Sequence, residues 1–302
     1  MDKPDKLLPH EAKRIILLIL EEGDVELSSH CLKDSMPKHH VTMLDVVNTL
    51  KTGEILRDPE WDDEYMNWKY RVEGVDIDGD ELIAITVIFT ADLTLYIITV
   101  FCRRRDDQII ASKVQQYNGS TTHAIKSNQS GMEIRCEICG GSTEVRKGQT
   151  YHYIECGLNN VYLDNIELRV CKACGTATPR LRRILDLHAT IARAVALKSG
   201  LLKGAEIRFL RKQLALSAQA WAALLRIDRA TLSRWESGDQ QIGPQSDALI
   251  RLLYFRFLEE RDGRLINEAL TERLSAPFKD RVKEAAVFVN MDNPALYSYQ
   301  DA

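Results

Sequence analysis

Four cysteines carry the clearest chemistry in this sequence of 302 residues. Cys136 and Cys139 form one C-x-x-C pair, Cys171 and Cys174 form a second, and 31 residues separate the pairs. A glycine follows each pair and lets a tight turn reverse without a side-chain clash. Four thiolates suit tetrahedral Zn²⁺, and a closed sulfur shell has no open position for water. The spacing therefore predicts one structural zinc ion, with unrelated core cysteines or a redox pair as alternatives.

A second signal lies in residues 204–257, where short helices flank a tight turn. Ser217 and Asp228 can cap helices predicted at Ala218–Leu225 and Arg229–Ser237. The expected core positions are Trp221, Ala222, Leu225, Ile227, Leu232 and Trp235. This spacing closely resembles the Xre/Cro-type helix-turn-helix, which implies DNA binding. The alternative is a helix pair used only for protein contacts.

The resemblance assigns separate roles to two sets of polar residues. The residues expected to face DNA bases are Arg229, Thr231, Ser233 and Arg234. The residues expected to meet phosphates are Lys203, Arg208, Arg211 and Lys212.

Charge is unevenly distributed along the chain. Residues 1–131 contain 15 Lys+Arg and 23 Asp+Glu, a net of −8, whereas residues 132–302 contain 25 and 21, a net of +4. The C-terminal part is therefore the more natural binder of nucleic acid. The two parts also have complementary charges, which favours their association.

The helices and strands predicted along the sequence indicate an α+β chain of several domains. The N-terminal segment is expected to have helices followed by a three-stranded antiparallel meander, and the predicted strands are Trp68–Val75, Leu82–Phe89 and Leu93–Phe101. A small zinc-clasped β domain should follow, with strands at Thr150–Glu155 and Val161–Val170. An all-α helix-turn-helix domain is expected last. Further predicted helices are Pro9–Glu22, Thr42–Gly53, Pro179–Lys198, Leu265–Leu274 and Pro277–Val289.

The predicted domain boundaries follow changes in pattern along the chain. The N-terminal α+β domain is assigned to 1–105, and the polar stretch 106–131 to a linker. The remaining assignments are a zinc-binding domain at 132–178, a connecting helix at 179–200, the helix-turn-helix domain with C-terminal helices at 201–289, and a tail at 290–302.

Compartment and membrane predictions rest on the leftover cysteines and one apolar stretch. Seven cysteines, four of them paired as metal ligands, indicate a reducing cytoplasm rather than a disulfide framework. Leu82 to Phe101 is long enough to span a bilayer, but it is rich in β-branched residues and contains Asp92. Two strands are the better interpretation, so no membrane association is expected.

Residues 132–260 are similar to the MqsA/YgiT-type zinc-finger antitoxins. The resemblance rests on the C-x-x-C-G-G start, the strand-rich middle, the second C-x-x-C-G, the linking helix and the Xre-type module. It implies that the four cysteines bind zinc and that the zinc domain contacts a toxin. It also implies that the C-terminal module forms a homodimer, binds a palindromic operator and represses its own operon. Ala230 stands where that family tends to place a base-reading Asn, so the operator sequence does not follow.

The N-terminal segment resembles small MqsR/BrnT-like toxin domains, through Leu27–His30, the capped Thr42 helix and the meander. This implies a metal-independent endonuclease that acts on mRNA, free or at the ribosome. Such cleavage needs a base, an acid and cations for the phosphate. The candidate catalytic residues are His30, Lys69, Tyr70, Arg71 and Arg103. One departure is that Leu82 stands where a related enzyme would carry tyrosine.

Two functions follow from these features. The first is a fused type II toxin–antitoxin protein in which residues 132–302 neutralise the toxin domain and repress transcription as a dimer. The second is a zinc-stabilised transcriptional regulator whose N-terminal domain is inactive and serves as a sensor or scaffold. The acidic charge of the N-terminal segment and Leu82 favour the second.

Overall fold

A computed structural model describes the fold, which is α+β with a mixed sheet. The structure describes residues 3–63, 66–102, 126–128, 131–133, 135–262, 286–292 and 298–301. The chain divides into two compact units. The first unit is Met1–Tyr151 with Asp164–Asp186, and the second is His152–Leu163 with Leu187–Ala302. The predicted domain boundaries, including the linker at 106–131, stay predictions.

Helices of the first unit form where the sequence signals them. Helix α1 (Pro9–Glu22) begins with proline, and its buried residues recur at helical spacing, ending before Gly23. A π-helical turn (Cys31–Ser35) leads into α2 (Met36–His39). Helix α3 (Met43–Thr52) has the expected cap, since the backbone N–H of Thr42 donates to Asp45 over 2.9 Å.

A mixed sheet forms the centre of the first unit. Its strands are β1 (Asp24–Leu27), β2 (Glu60–Asp62), β3 (Asn67–Val75), β4 (Glu81–Phe89), β5 (Thr94–Cys102), β8 (Thr143–His152), β9 (Val161–Cys171) and β10 (Ala177–Arg182). The order is β9-β10-β1-β5-β4-β3-β2, and β8 pairs with β9. Strands β3, β4 and β5 form the predicted antiparallel meander, whereas β1 and β5 are parallel. Helices α1 and α3 pack on one face of this sheet.

The predicted helix at Pro179–Lys198 starts too early. Ala177–Arg182 forms β10, which pairs antiparallel with both β9 and β1, and the helix begins only at Ile184. The physical reason is non-local. Leu181 is buried in the sheet while Arg180 and Arg182 form ion pairs with Asp24 of β1. Alternation of apolar and charged residues is the strand signal that the prediction missed.

Helices dominate the second unit. They are α4 (Ile184–Leu197), α5 (Gly204–Gln213), α6 (Ala218–Leu225), α7 (Arg229–Ser237) and α8 (Pro244–Asp262). A 3₁₀ turn at Ile154–Cys156 occupies the end of the strand predicted at Thr150–Glu155. Within the described residues, no helix is both long enough and apolar enough to cross a membrane.

The C-terminal residues differ from prediction. Strand β11 (Val287–Asn290) pairs antiparallel with β12 (Ser298–Asp301), so the end of the helix predicted at Pro277–Val289 and part of the expected tail are strands. Strands β11 and β12 pair although other residues lie between them in the sequence. Helical periodicity within one segment gives no information on such pairing. The helix predicted at Leu265–Leu274 lies outside the described residues.

The predicted linker is described only at its end. Strands β6 (Lys126–Asn128) and β7 (Gly131–Glu133) pair as a hairpin, whereas residues 103–125 lie outside the described part of the chain.

Candidate metal centre and flanking sites

The two C-x-x-C pairs fold into similar tight turns. In the first, the backbone N–H of Gly140 donates to the carbonyl of Cys136 over 2.7 Å, and in the second Gly175 donates to Cys171 over 3.0 Å. Both glycines have left-handed φ angles, 69° and 72°, which other residues adopt at a cost. The expected role of the glycines is therefore confirmed.

The turns bring the four sulfurs together. All four Sγ atoms lie within 4.8 Å of one another, and the Cys136–Cys174 and Cys139–Cys171 sulfur pairs are 3.5 Å apart. Sulfurs bound to one tetrahedral zinc at about 2.3 Å would lie about 3.8 Å apart. Cys136 and Cys171 are buried while the other two are exposed. This donor set can hold a metal ion.

Backbone N–H groups point at the sulfurs and stabilise thiolates. Cys171 receives such hydrogen bonds from Cys174 and Ala173, which lower its pKa. Hydrogen bonds from the side chain and backbone of Thr176 lower the pKa of Cys174 to about 6. The second turn is thus prepared to supply metal-binding thiolates.

The first turn holds its protons more tightly than the second. Burial raises the pKa of Cys136 to about 12, against hydrogen bonds from the backbone of Cys139 and Ile138. The N–H of Gly141 lowers the pKa of Cys139, but the neighbouring sulfurs of Cys171 and Cys174 outweigh it, so the pKa is raised. Four close thiolates repel one another, so a bound cation is the natural counter-charge.

Gly141 and Thr176 are supporting residues that the sequence did not single out for this role. A Cβ built on Gly141 would lie 2.9 Å from that of Ala173 and 3.2 Å from the sulfur of Cys171. The Thr176 hydroxyl lies 3.2 Å from the sulfur of Cys174. Both residues come shortly after a cysteine pair, which is the signal that could have identified them.

Glu137 connects the first cysteine turn to the sheet. Its carboxylate accepts a hydrogen bond from the backbone N–H of Ser29 over 3.1 Å and another from the hydroxyl of Tyr96. Tyr96 is 3% exposed and lies on β5. Sequence reasoning selected neither Glu137 nor Tyr96, because only the tertiary fold brings them together.

A buried ion pair joins β9 to β1. Arg169 donates from Nε and Nη2 to the two carboxylate oxygens of Glu26 over 2.8 and 3.0 Å. Both residues are buried. Burial lowers the pKa of Arg169, but hydrogen bonding and attraction to Glu26 outweigh burial, so the pKa is raised. Arg180 of β10 also reaches Asp24 over 2.8 Å, which extends the network.

The candidate catalytic residues lie on two parts of the chain: His30 precedes the π-helical turn, whereas Lys69, Tyr70 and Arg71 lie on β3. His30 Nδ1 lies 3.3 Å from Asp34, and Lys69 Nζ lies 2.9 Å from Asp62. Arg71 donates to Glu73 over 2.8 Å. Each of these side chains therefore has a carboxylate neighbour, and Lys69 and Arg71 share one face of β3.

Tyr70 points the other way along β3. It is buried on the opposite face, where its hydroxyl accepts the N–H of Leu7 over 3.0 Å and burial raises its pKa. Leu82 is also fully buried. Arg103 lies outside the described residues.

Helices α6 and α7 present a polar surface. Ser217 caps α6 by accepting the N–H of Ala220 over 3.2 Å. In α7, Arg229, Ser233 and Arg234 are exposed, and Thr231 is half-buried. Arg234 donates to the hydroxyl of Thr231 over 3.1 Å. The expected core residues of the two helices are buried except Ile227, which is half-buried.

Two of the four residues expected to meet phosphates are buried instead. Arg211 is 1% exposed and donates to Glu236 over 2.7 Å and to the carbonyl of Leu216 over 2.8 Å. Lys212 is also buried. The prediction is wrong for Arg211, whose guanidinium pairs with Glu236 of the neighbouring helix, and the burial of Lys212 also runs against it. Lys203 and Arg208 are exposed, although Arg208 also pairs with Glu236.

His188 lies in the packed interior of the second unit, as expected from its helix face. Its Nε2 is 2.8 Å from the hydroxyl of Tyr153, and burial lowers the pKa of His188 to about 3. The imidazole is therefore neutral at ordinary pH.

Comparison with known proteins gives a family match in the first unit. Residues 27–102 match a family described as Domain of unknown function (DUF4258). No curated protein and no solved structure matches the chain. The matched segment runs from the last residue of β1 to the last residue of β5, so it contains Tyr96 and precedes the four cysteines. Its description assigns no activity.

Proposed function

We propose that the chain is a fused type II toxin–antitoxin protein. Residues 132–302 restrain a toxin-like domain at residues 1–105 and repress their own operon. The observation that carries the proposal is the pairing of β10 with β1, together with the bidentate ion pair between Arg169 and Glu26. One partner in each contact comes from the toxin-like segment and the other from the cysteine-containing segment.

Pairing of β10 with β1 supports restraint because it satisfies backbone groups at an otherwise open sheet edge. An unpaired edge strand is a template for another chain, and adding a strand is a common way to bind one. Three arginines, Arg169, Arg180 and Arg182, meet Asp24 and Glu26 on β1. These complementary charges select one register and one partner.

Zinc is the metal proposed for the cysteine cluster. Four thiolates in a compact set with backbone N–H groups at the sulfurs are a donor chemistry that zinc favours. Bound zinc would link the two turns without taking part in a reaction. The segment that supplies β9, β10 and Glu137 would thereby be held in shape.

DNA binding is proposed for α6 and α7, acting as a helix-turn-helix. The capped helices, the Arg226 and Gly238 left-handed C-caps and the exposed face of α7 support this role. Arg229 and Arg234 would contact base edges, with Thr231 and Ser233 beside them. We propose that the protein acts in the cytoplasm as a homodimer on a palindromic operator, since helix-turn-helix dimers read two half-sites about 34 Å apart.

The toxin-like activity proposed is metal-independent cleavage of mRNA. His30 supplies an imidazole for the acid or base role, while Lys69 and Arg71 supply cations on one face of β3. Asp34, Asp62 and Glu73, which pair with these residues, belong to the same segment.

A second candidate function is a zinc-stabilised regulator whose N-terminal domain is an inactive scaffold. Burial of Tyr70 and Leu82 favours it, because neither can contact RNA from the core.

A cleavable linker tests the restraint. A protease site would be inserted between Asn118 and Gly119 of the full chain, and the cut protein would be analysed by gel filtration at falling concentration. The proposal predicts that the two pieces stay together and that Glu26→Arg separates them. Pieces that separate without any substitution would contradict it.

A further inference from the structure

The carboxylate of Glu137 accepts hydrogen bonds from two neutral groups of the sheet and the residues beside it. They are the backbone N–H of Ser29 and the hydroxyl of Tyr96. A carboxylate and a phosphodiester both present anionic oxygens to such donors. The same pair of donors would therefore hold a phosphate if Glu137 moved away.

The surroundings of this contact match the candidate catalytic face. His30 directly follows Ser29 in the chain. Across the sheet, Tyr96 pairs with Val87, which pairs with Lys69, so Tyr96 and Lys69 lie on the same face two strands apart. Two strand spacings amount to about 10 Å, a span that a few nucleotides cover.

Glu137 is held in place by the first cysteine turn. It lies between the two ligands Cys136 and Cys139, and the N–H of Cys136 donates to the carbonyl of Gly141 over 2.9 Å. The Glu137 side chain therefore extends to the sheet from a turn whose two cysteines belong to the sulfur cluster.

We propose that Glu137 is an autoinhibitory residue that occupies the binding position of an RNA phosphate on Ser29 and Tyr96. Tyr96 is then a substrate-binding residue of the toxin-like domain. This inference rests on the proposed function, because it takes RNA as the substrate. While the turn is docked, RNA can bind only in the fraction of molecules in which Glu137 has left, which lowers the apparent affinity.

Binding of a non-cleavable RNA to the full chain tests the inference without requiring activity. The probe is a short fluorescent oligoribonucleotide with 2′-O-methyl sugars, measured by anisotropy. Glu137→Gln should bind it roughly tenfold more tightly than the natural chain. Glu144→Gln is the matched control, since it removes the same charge from a half-buried residue that pairs with Arg146 and Lys172. Adding Tyr96→Phe to Glu137→Gln should abolish the gain.

Metal content and thermal unfolding show whether the turn is intact in each variant. If Glu137→Gln loses metal, Glu137→Asp replaces it, because a shorter carboxylate keeps the charge but reaches less far. If the Glu137 and Glu144 variants both retain metal and bind the oligoribonucleotide with equal affinity, Glu137 does not mask the phosphate position. Growth inhibition by residues 1–105 alone reports on the toxin proposal separately, so the two failures are distinguishable.

Discussion

Arg169 and Glu26 form a two-point hydrogen-bonded ion pair although 143 residues separate them in the sequence. Both side chains are buried, so water contributes little to solvating either charge. Removal of one member leaves the other charge buried without its main partner, which is far more costly than loss of an exposed pair. The pair therefore makes the sheet edge at β1 depend on a residue that lies between the two cysteine turns.

Replacement of the arginine should destabilise the first unit strongly. Arg169→Met keeps much of the side-chain volume but removes the two-point partner of Glu26, so that among the described residues the more distant Arg180, 3.6 Å away, remains beside it. We expect a loss of about 3 kcal/mol in the free energy of unfolding, measured with urea at pH 7. Arg146→Met, which breaks an exposed pair with Glu144, should leave the curve nearly unchanged. Equal effects of both variants would contradict a special role for the buried pair.

The parts of the fold that depend on neighbouring residues could be predicted from the sequence. The parts that depend on pairing between distant strands could not. The cysteine turns and the capped helix at Thr42 depend on residues close in sequence, so their prediction succeeded. Strand β10 was missed because Pro179 resembles a helix start, while its partner β1 lies over 150 residues earlier. Tyr96 and Glu137 meet only through strand register, which one sequence does not reveal.

Metal binding should require all four cysteines of the cluster and none of the others. Cys139→Ser and Cys174→Ser should lower the metal content from one ion per chain to near zero, measured by mass spectrometry of the purified protein. Cys31→Ala is the control, because Cys31 is buried and does not belong to the cluster. A strong chelator should lower the unfolding temperature of the natural chain. Full metal content in Cys139→Ser would rule out a four-sulfur site.

DNA binding should depend on the exposed face of α7. Arg234→Ala should weaken binding to the segment upstream of the protein's own coding sequence by about 1–3 kcal/mol, measured by gel shift at fixed salt. Arg193→Ala removes the same charge from an exposed position on α4 and serves as the control. Equal weakening by both variants would indicate a general charge effect and no base contact.

Acidification should destabilise the second unit through His188. Its pKa of about 3 in the fold lies below the ordinary 6.5, so the unfolded chain takes up the proton more readily. The neutral His188 imidazole contributes fully to the free energy of unfolding above pH 6.5. This contribution is lost as pH falls toward 3, at about 1 kcal/mol per pH unit. Thermal unfolding between pH 7 and 4 should show a flatter profile for His188→Gln. Parallel profiles for the two proteins would contradict this assignment.

The most direct test of the central claim is bacterial growth with residues 1–105 expressed alone, and then together with residues 132–302 as a separate chain. Bulk mRNA integrity is followed in the same cultures, and circular dichroism of the purified fragment establishes that it is folded. The account predicts growth arrest with loss of mRNA, reversed by the second chain but not by a second chain carrying Arg169→Glu. Normal growth and intact mRNA with a folded fragment would contradict a toxin and leave a DNA-binding regulator with an inactive N-terminal domain.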